Sequence, residues 1–288
     1  MPIHPLWINK KNVQRNFSAA AANYDRVSGL QREVSRLLLS CLPVSFCGAA
    51  RVLDIGTGTG LALLDLAASF PDSEFHGLDI SYGMIRQALR TATRAPTSCA
   101  LSVANRMFFL QADAERLPYC SSVFDLALSN LTYQWVADHG QAFGEVCRIL
   151  KPGGKFAFST FGQGTLAELH TAFRQACRKL KGEEAPPQSH GQEFLTLGEL
   201  EAVLRDCGFS RLKVRECALP RIYPDVRSLL MELKATGASN ATLSRSAGLG
   251  GRKVLQEMQN YYEQHFHNGQ GILATYQVIL VQGEKIAK

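Results

Sequence analysis

The feature that most constrains the fold is a short apolar strand that runs directly into a glycine-rich turn and then into a helix. The strand Val52–Ile55 is followed by Gly56, Gly58 and Gly60, and a helical pattern continues over Leu61–Ser69. Glycine lacks Cβ, so it lets the backbone approach a ligand closely and permits positive φ in such a turn. The sequence therefore predicts a strand-turn-helix unit with a ligand-binding loop.

From Arg51 onward, short runs rich in β-branched and aromatic residues alternate with helical patterns. Alternation of this kind predicts an α/β fold with a doubly wound, mostly parallel sheet of seven strands. The segment Leu150–Gly154 is expected to be a turn ahead of the fifth strand. The predicted strands are Arg51–Asp54, Glu74–Asp79, Met107–Ala112, Phe124–Ser129, Lys155–Thr160, Ser210–Ala218 and Gly271–Val281.

The chain is predicted to divide into a core and two helical additions. Residues 1–50 are expected to form a helical lid segment, residues 51–219 and 270–288 the core, and residues 220–269 an inserted helical cap, because this last connection is too long for a hairpin. A further helix is predicted over Gly164–Leu180. The segment 91–106 is expected to be an enlarged loop, and the Ser- and Gly-rich segment 239–251 to be disordered.

Composition limits the class of protein. The 288 residues are 46% apolar and 19% charged, enough for one large domain with a small addition. No apolar run approaches the length of about 18 to 20 residues that spans a bilayer, and the N-terminus lacks a signal peptide's apolar centre, so a cytoplasmic protein without a membrane partner is expected. The eight cysteines form no C-x-x-C pair, which argues against a zinc site and a disulfide framework.

The net charge is modestly basic. A value of +6 favours an acidic partner through long-range attraction. The basic residues are dispersed, without the runs that are typical of nucleic-acid binding, so no nucleic-acid partner is expected.

The spacing of the glycines distinguishes between two classes of cofactor. In a dinucleotide-binding fold, the third glycine of G-x-G-x-x-G would fall on Leu61. Instead, Asp54 stands two residues before the first glycine, a pattern that resembles the class I S-adenosylmethionine-dependent methyltransferases. In that family the glycines face the amino-acid part of the cofactor, and the acid holds its ammonium side. The resemblance implies S-adenosylmethionine bound at Asp54, Gly56, Thr57, Gly58 and Gly60.

Two more acids follow predicted strands. Asp79 closes the second strand, where a carboxylate can accept hydrogen bonds from both ribose hydroxyls. Ile80 and Met84 are then expected beside the adenine. Asp113, followed by Ala114, resembles the family's adenine-edge motif, which implies that Asp113 accepts a hydrogen bond from the exocyclic amine.

The segment after the fourth strand bears on the methyl acceptor. Asn130, Gln134 and Trp135 predict a polar and aromatic rim at the pocket. An amine or base methylase would more often carry an Asn/Asp-Pro-Pro-aromatic tetrad here, and a cytosine C5-methylase needs a Pro-Cys pair that this chain lacks. Methyl transfer to an acceptor that is already an anion needs little acid-base chemistry, because the enzyme chiefly aligns the reacting atoms.

A narrower resemblance covers nearly the whole chain. The segments 17–25, 159–169 and 233–238, together with Gln31 and the rim, are similar to the malonyl-acyl-carrier-protein O-methyltransferases of biotin synthesis. Members of that family methylate the free carboxylate of a malonyl thioester. The resemblance implies a malonyl-loaded acyl carrier protein, which is acidic, or malonyl-CoA as the partner. It also implies that Tyr24 closes over the cofactor, with Gln31 and Asn130 beside it.

A buried substrate carboxylate needs a cationic or hydrogen-bonding partner. The candidates are Tyr24 and the cap cations Arg221, Arg227 and Lys234, and the sequence does not choose among these cations. For each cation taken alone, a solvated helix face is the more common explanation. Two other functions stay open. One is a methyltransferase of the same fold that acts on a small molecule, such as a quinone ring or a free carboxylic acid. The other is a non-catalytic regulator that binds S-adenosylmethionine.

Overall fold

The computed structural model describes residues 8–42, 48–94, 104–182, 194–237 and 249–287. Its centre is a seven-stranded sheet with the order β3-β2-β1-β4-β5-β7-β6. Strands β1 to β5 run parallel to one another, whereas β7 runs antiparallel to both β5 and β6. This topology confirms the predicted doubly wound, mostly parallel sheet. The strands are β1 (Arg51–Ile55), β2 (Glu74–Asp79), β3 (Met107–Gln111), β4 (Phe124–Asn130), β5 (Leu150–Phe161), β6 (Phe209–Tyr223) and β7 (Ile272–Lys285).

Helices cover both faces of the sheet. Val52 belongs to one apolar cluster and Leu53 to the other, because successive side chains of a strand point to opposite faces. The helices are α1 (Lys10–Ala20), α2 (Tyr24–Val27), α3 (Gly29–Cys41), α4 (Leu61–Ser69), α5 (Tyr82–Thr93), α6 (His139–Ile149), α7 (Ala167–Lys181), α8 (Leu197–Asp206), α9 (Val226–Ala235) and α10 (Leu249–His265), with a 3-10 helix at Tyr133–Trp135.

Helix starts follow local sequence signals. Thr196 and Glu199 form a reciprocal capping box at the start of α8. At the start of α5, the Ser81 hydroxyl accepts a hydrogen bond from the backbone N–H of Met84 at 3.2 Å. Helix α4 begins after Gly60, whose φ of +82° turns the chain out of β1. These signals fix where each helix leaves the sheet.

One predicted turn is wrong. The segment Leu150–Gly154 lies inside β5 rather than ahead of it. The pairing of β4 with β5 shifts register between Phe124 and Leu126, and Gly153 has a φ of +74°. The strand therefore absorbs the Pro-Gly-Gly sequence as a bulge. Two predicted segments lie mostly outside the described residues, namely the enlarged loop 91–106 and the disordered segment 239–251.

Helix α1 packs closely on α5. The Ser18 and Ser81 hydroxyls are 2.8 Å apart, and a Cβ at Gly83 would come within 2.8 Å of the Ser18 backbone. The absence of a side chain at Gly83 therefore permits this approach. Among the described residues, no helix combines the length and apolarity that crossing a membrane requires.

The connection between β6 and β7 leaves the sheet and returns to it at the same place. Strand β6 continues to Tyr223, which pairs with Ile272 at the start of β7. Helices α9 and α10 lie between these two strand ends in sequence. Val254, Met258 and Tyr262 of α10 are buried in the same cluster as Leu169 of α7.

Candidate functional site

A cavity lies at the carboxyl ends of β1, β2 and β4, roofed by the N-terminal helices. Strands β1 and β4 are neighbours in the sheet, although two strands separate them in the sequence. Ligands of open α/β sheets bind at such a switch point.

The glycine turn forms the floor beside β1. Gly56, Gly58 and Gly60 have φ of +75°, +56° and +82°, values that disfavour other residues. A Cβ at Gly56 would lie 2.1 Å from the Thr132 hydroxyl, whereas one at Gly58 would meet no atom within 4 Å. Gly56 is therefore needed for packing against the segment after β4, and Gly58 leaves open space where a ligand can approach the backbone.

Asp79 stands at the end of β2 and lines the cavity. One carboxyl oxygen accepts the N–H of Gly58 at 3.0 Å, and the other accepts the N–H of Ser81 at 2.8 Å. Burial raises the pKa of Asp79 to about 6, although these two hydrogen bonds oppose the rise. Each oxygen keeps a second lone pair, so the carboxylate can receive two hydroxyl donors from a ligand.

Asp54 is buried at the end of β1 but is not among the residues that line the cavity. Burial raises its pKa to about 7; the Thr57 hydroxyl opposes this rise, and the charge of Asp79 adds to it. Two neighbouring buried carboxyl groups make this end of the site favourable for a positively charged ligand.

Another part of the cavity lining combines an apolar wall with Asp113. Ile80 and Met84 belong to this part, as does Ala114. One Asp113 oxygen accepts a hydrogen bond from the Lys10 ammonium at 2.6 Å, and the other accepts the N–H of Glu115 at 3.0 Å. Lys10 also lies 2.7 Å from the Glu115 carboxylate. An ion-pair network therefore ties α1 to the segment after β3.

Aromatic side chains close the acceptor side. The Phe17 ring meets the Trp135 ring edge to face, with centroids 5.6 Å apart, and its centroid is 6.4 Å from that of Tyr24. Burial raises the pKa of Tyr24, with further contributions from Asp79 and Asp25, so its phenol is neutral at physiological pH. These aromatic rings give this part of the cavity lining an apolar surface.

Asn130 links this rim to the N-terminal helices. Its amide nitrogen donates to the Gln31 carbonyl of α3 at 2.9 Å, and its amide oxygen accepts from the Ser159 hydroxyl at 2.8 Å. The next residue, Leu131, has a φ of +51°, a strained value for a residue with a side chain. The strain turns the chain out of β4, and the 3-10 helix that carries Gln134 and Trp135 follows.

Two glutamine side chains at the cavity are left without hydrogen-bond partners. The Oε1 atoms of Gln31 and Gln134 are buried, and neither has a partner among the described residues. Both side chains line the cavity. Buried amides are normally paired, and both orphan atoms are acceptors, so a ligand that satisfies them must donate hydrogen bonds.

The structure brings most of the predicted site residues together. The ones that line the cavity are Tyr24, Gln31, Gly56, Gly58, Asp79, Ile80, Met84, Asp113, Ala114, Asn130, Gln134 and Trp135. Those outside its lining are Asp54, Thr57, Gly60, Arg221, Arg227 and Lys234.

The three predicted cap cations point elsewhere. Arg221 forms an ion pair with Glu33 of α3, and Arg227 and Lys234 are exposed on α9. The structure therefore gives no support to a cap cation as the carboxylate partner.

Sequence reasoning missed several residues that line the cavity. Lys10, Val13 and Phe17 come from α1, Phe161 from β5 and Thr236 from the end of α9. Phe17 and Thr236 stand inside segments that carried the family resemblance, which was a signal that they matter. Lys10 had no such signal, because its partner Asp113 is 103 positions away in the sequence.

Comparisons with known proteins agree with this geometry. A methyltransferase domain family matches residues 53–158, from β1 into β5. The malonyl-acyl-carrier-protein O-methyltransferase of Methylococcus capsulatus is 38% identical to this chain, over 96% of the chain and 94% of its own length. That of Geobacter sulfurreducens is 34% identical, over 96% of the chain and 100% of its own length. This chain belongs to the malonyl-acyl-carrier-protein O-methyltransferase family. The bifunctional biotin biosynthesis protein BioHC of Cellvibrio japonicus is 35% identical over 94% of the chain, which covers 49% of that protein.

Solved structures confirm the fold of this malonyl-acyl-carrier-protein O-methyltransferase family member. The YcgJ protein from Bacillus subtilis has a TM-score of 0.59 at 19% identity, covering 89% of this chain and 100% of that chain. Phosphoethanolamine N-methyltransferase 2 of Haemonchus contortus, in complex with S-adenosyl-L-methionine, has a TM-score of 0.56 at 19% identity, covering 93% and 57%. At these identities the likeness shows a shared fold. The family itself identifies the protein as an S-adenosylmethionine-dependent O-methyltransferase.

Proposed function

We propose that this protein transfers the methyl group of S-adenosylmethionine to the free carboxylate of a malonyl thioester, in the cytoplasm and in the synthesis of biotin. The observation that carries the proposal is the near full-length similarity to malonyl-acyl-carrier-protein O-methyltransferases, joined to a cavity that is lined by both acidic and aromatic residues. The methyl acceptor is a malonyl-loaded acyl carrier protein or malonyl-CoA.

The residues of the cavity fit the cofactor. The Asp79 carboxylate suits the ribose hydroxyls, and the open space above Gly58 suits close approach of the cofactor to the backbone. Ile80 and Met84 suit the adenine face. Asp113 suits the exocyclic amine, sharing its carboxylate with Lys10.

The amino-acid end of the cofactor completes the assignment. Asp54 suits the ammonium group, whose positive charge would favour the ionised form of a carboxyl with a raised pKa. Gln31 and Asn130 stand beside Tyr24 on the cofactor side of the rim.

The chemistry asks little of acid-base groups. When bound, S-adenosylmethionine supplies an electrophilic methyl group on a sulfonium. A carboxylate acceptor is already ionised near neutral pH, so the protein's task is to align its oxygen with the methyl group and to exclude water. The aromatic side chains of Phe17, Tyr24 and Trp135 suit the exclusion of water, and the described residues 8–42 would then act as the lid of the site.

Methyl transfer tests the proposal directly. The protein is incubated with methyl-labelled S-adenosylmethionine and one of three acceptors, namely malonyl-acyl-carrier protein, malonyl-CoA or free malonate. We expect an ester-linked methyl group on a thioester and little on free malonate. If folded, cofactor-bound protein labels neither thioester, the proposal fails. Equal labelling of free malonate would instead indicate a small-molecule acceptor.

A further inference from the structure

The described walls of the cavity offer no free cation to a negatively charged acceptor. Lys10 is the one cation among the described lining residues, and its ammonium lies 2.6 Å from Asp113 and 2.7 Å from Glu115. Asp79 adds another carboxyl group to the lining. Within the described part of the chain, recognition of an acceptor carboxylate therefore falls to neutral hydrogen-bond donors.

Gln134 is one such donor, besides the Tyr24 phenol. Gln134 is 8% exposed, and it lines the cavity next to Trp135 in the 3-10 helix after β4. Its Oε1 atom is buried without a partner, and no residue in the described ranges forms a hydrogen bond with its side-chain amide. The Nε2 hydrogens are the atoms that can donate to a carboxylate, whereas Oε1 only accepts and would pair with a donor group elsewhere on the ligand.

We propose that the Gln134 amide recognises the acceptor carboxylate, with its N–H groups donating to the carboxylate oxygens. The proposal rests on the proposed function, since it names the group that reads the substrate at the same site. The neighbouring candidate Asn130 is already engaged through both amide atoms, by the Gln31 carbonyl and the Ser159 hydroxyl. The Gln134 amide forms no hydrogen bond with any residue in the described ranges.

A neutral amide also suits the reaction. The carboxylate oxygen forms a bond to the methyl carbon while the carbon-sulfur bond breaks, and the electron pair of that bond stays on sulfur. The sulfonium becomes a neutral thioether, the carboxylate becomes an ester, and no proton moves. A protein ammonium would stabilise the charged carboxylate more than the transition state, because the step removes that negative charge, and this would raise the barrier. A neutral amide orients the oxygen while stabilising the charged ground state less. The ester product accepts weaker hydrogen bonds than the carboxylate does, which favours its release.

Two thioesters that differ in the carboxylate provide the test. Full-length protein saturated with S-adenosylhomocysteine is titrated by calorimetry with malonyl-CoA and with acetyl-CoA. We expect the wild type to bind malonyl-CoA at least about tenfold more tightly, as one charge-assisted hydrogen bond allows. Gln134→Met is expected to reduce this preference to within about twofold, and to lower kcat/KM on the malonyl thioester about tenfold or more, chiefly through KM.

Further variants keep the test decisive. Gln134→Glu, which has nearly the same shape, is expected to reverse the preference by placing a second carboxylate against the substrate. Gln256→Met, on the exposed face of α10, is the matched control and is expected to change neither preference nor turnover. The affinity for S-adenosylhomocysteine is expected to stay within about twofold of wild type in all three variants.

Several outcomes overturn the proposal. A folded Gln134→Met protein that keeps the malonyl preference refutes it. So does a parallel loss of S-adenosylhomocysteine affinity, which would place Gln134 on the cofactor instead. Loss of the preference in Gln31→Met alone would move recognition to α3. If the wild type neither methylates a malonyl thioester nor prefers malonyl-CoA, the failure belongs to the proposed function.

Discussion

Replacing Asp79 by Asn tests the ribose assignment with almost no change in shape. Both carboxyl oxygens of Asp79 accept a backbone N–H, from Gly58 at 3.0 Å and from Ser81 at 2.8 Å. An asparagine side chain has one oxygen and one NH2 group, so one of these two N–H groups must face another donor. The substitution therefore removes the charge and disturbs one wall of the turn at the same time.

The expected loss of affinity follows from what the carboxylate has left to offer. Each oxygen has one lone pair beyond its backbone bond, which allows two charge-assisted bonds to a ribose. A hydrogen bond to a charged group contributes about 1.5 to 3 kcal/mol, and neighbouring bonds do not add fully. Losing the charge is therefore expected to raise the Kd for S-adenosylmethionine by about 10-fold to about 150-fold.

Calorimetric titration at pH 8 measures this change, because both acidic groups are then ionised in the wild type. Asp125→Asn is the matched control: Asp125 lies in β4 of the same sheet and pairs with Lys151, away from the cavity lining. Its affinity for S-adenosylmethionine is expected to stay within about twofold of wild type. Unchanged affinity in a folded Asp79→Asn protein would show that the ribose lies elsewhere.

Three more predictions follow from the geometry. Gly83→Ala is expected to displace α1, because the new Cβ would come within 2.8 Å of the Ser18 backbone, and to lower both Tm and cofactor affinity. Gly144→Ala in α6, with open space around it, is expected to stabilise the protein by about 1 kcal/mol. Thermal melts and calorimetric titration compare the two variants. Burial raises the pKa of Asp54 to about 7 and that of Asp79 to about 6, so the cofactor-free fold binds more protons than the unfolded chain and loses stability as pH rises from about 4 to 7. Affinity for the cationic cofactor is expected to rise from about pH 5.5 to about pH 8, because both carboxyl groups become ionised. Equal affinity at both pH values would contradict this prediction. Lys10→Met is expected to lower the free energy of unfolding by about 1 kcal/mol, a difference that shrinks in 1 M NaCl, because its ion pairs are partly exposed; denaturant titration at low and high salt measures it.

Local sequence signals account for much of the fold and of the cofactor side. The strand Val52–Ile55 and the glycines after it are contiguous, and Asp79 is the last residue of an apolar run, so pattern alone predicts both. Parallel strands end at the same edge of a sheet, which is why residues far apart in sequence meet at one cavity. The turn predicted at the Pro-Gly-Gly segment was wrong, because a bulge within a strand and a turn ahead of it use the same residue types.

Long-range pairing is what the sequence did not predict. Arg221 was a candidate for the substrate carboxylate, but Glu33, 188 positions away, takes its charge. Lys10 lines the cavity because α1 folds back over the sheet and meets Asp113, and no local pattern marks that contact. The charge of a side chain is local information, whereas the partner that neutralises it depends on the tertiary fold.

The packing of α1 on α5 has a consequence for the order in which ligands enter. Helix α1 contributes Lys10 and Phe17 to the cavity lining, and it rests on α5 at Ser81, whose N–H also binds Asp79. The same helix therefore encloses both the residues that we assign to the nucleoside and those that we assign to the acceptor. We expect a compulsory order in which S-adenosylmethionine enters first and S-adenosylhomocysteine leaves last. Steady-state kinetics would show it as product inhibition that is competitive against S-adenosylmethionine and not against the malonyl thioester.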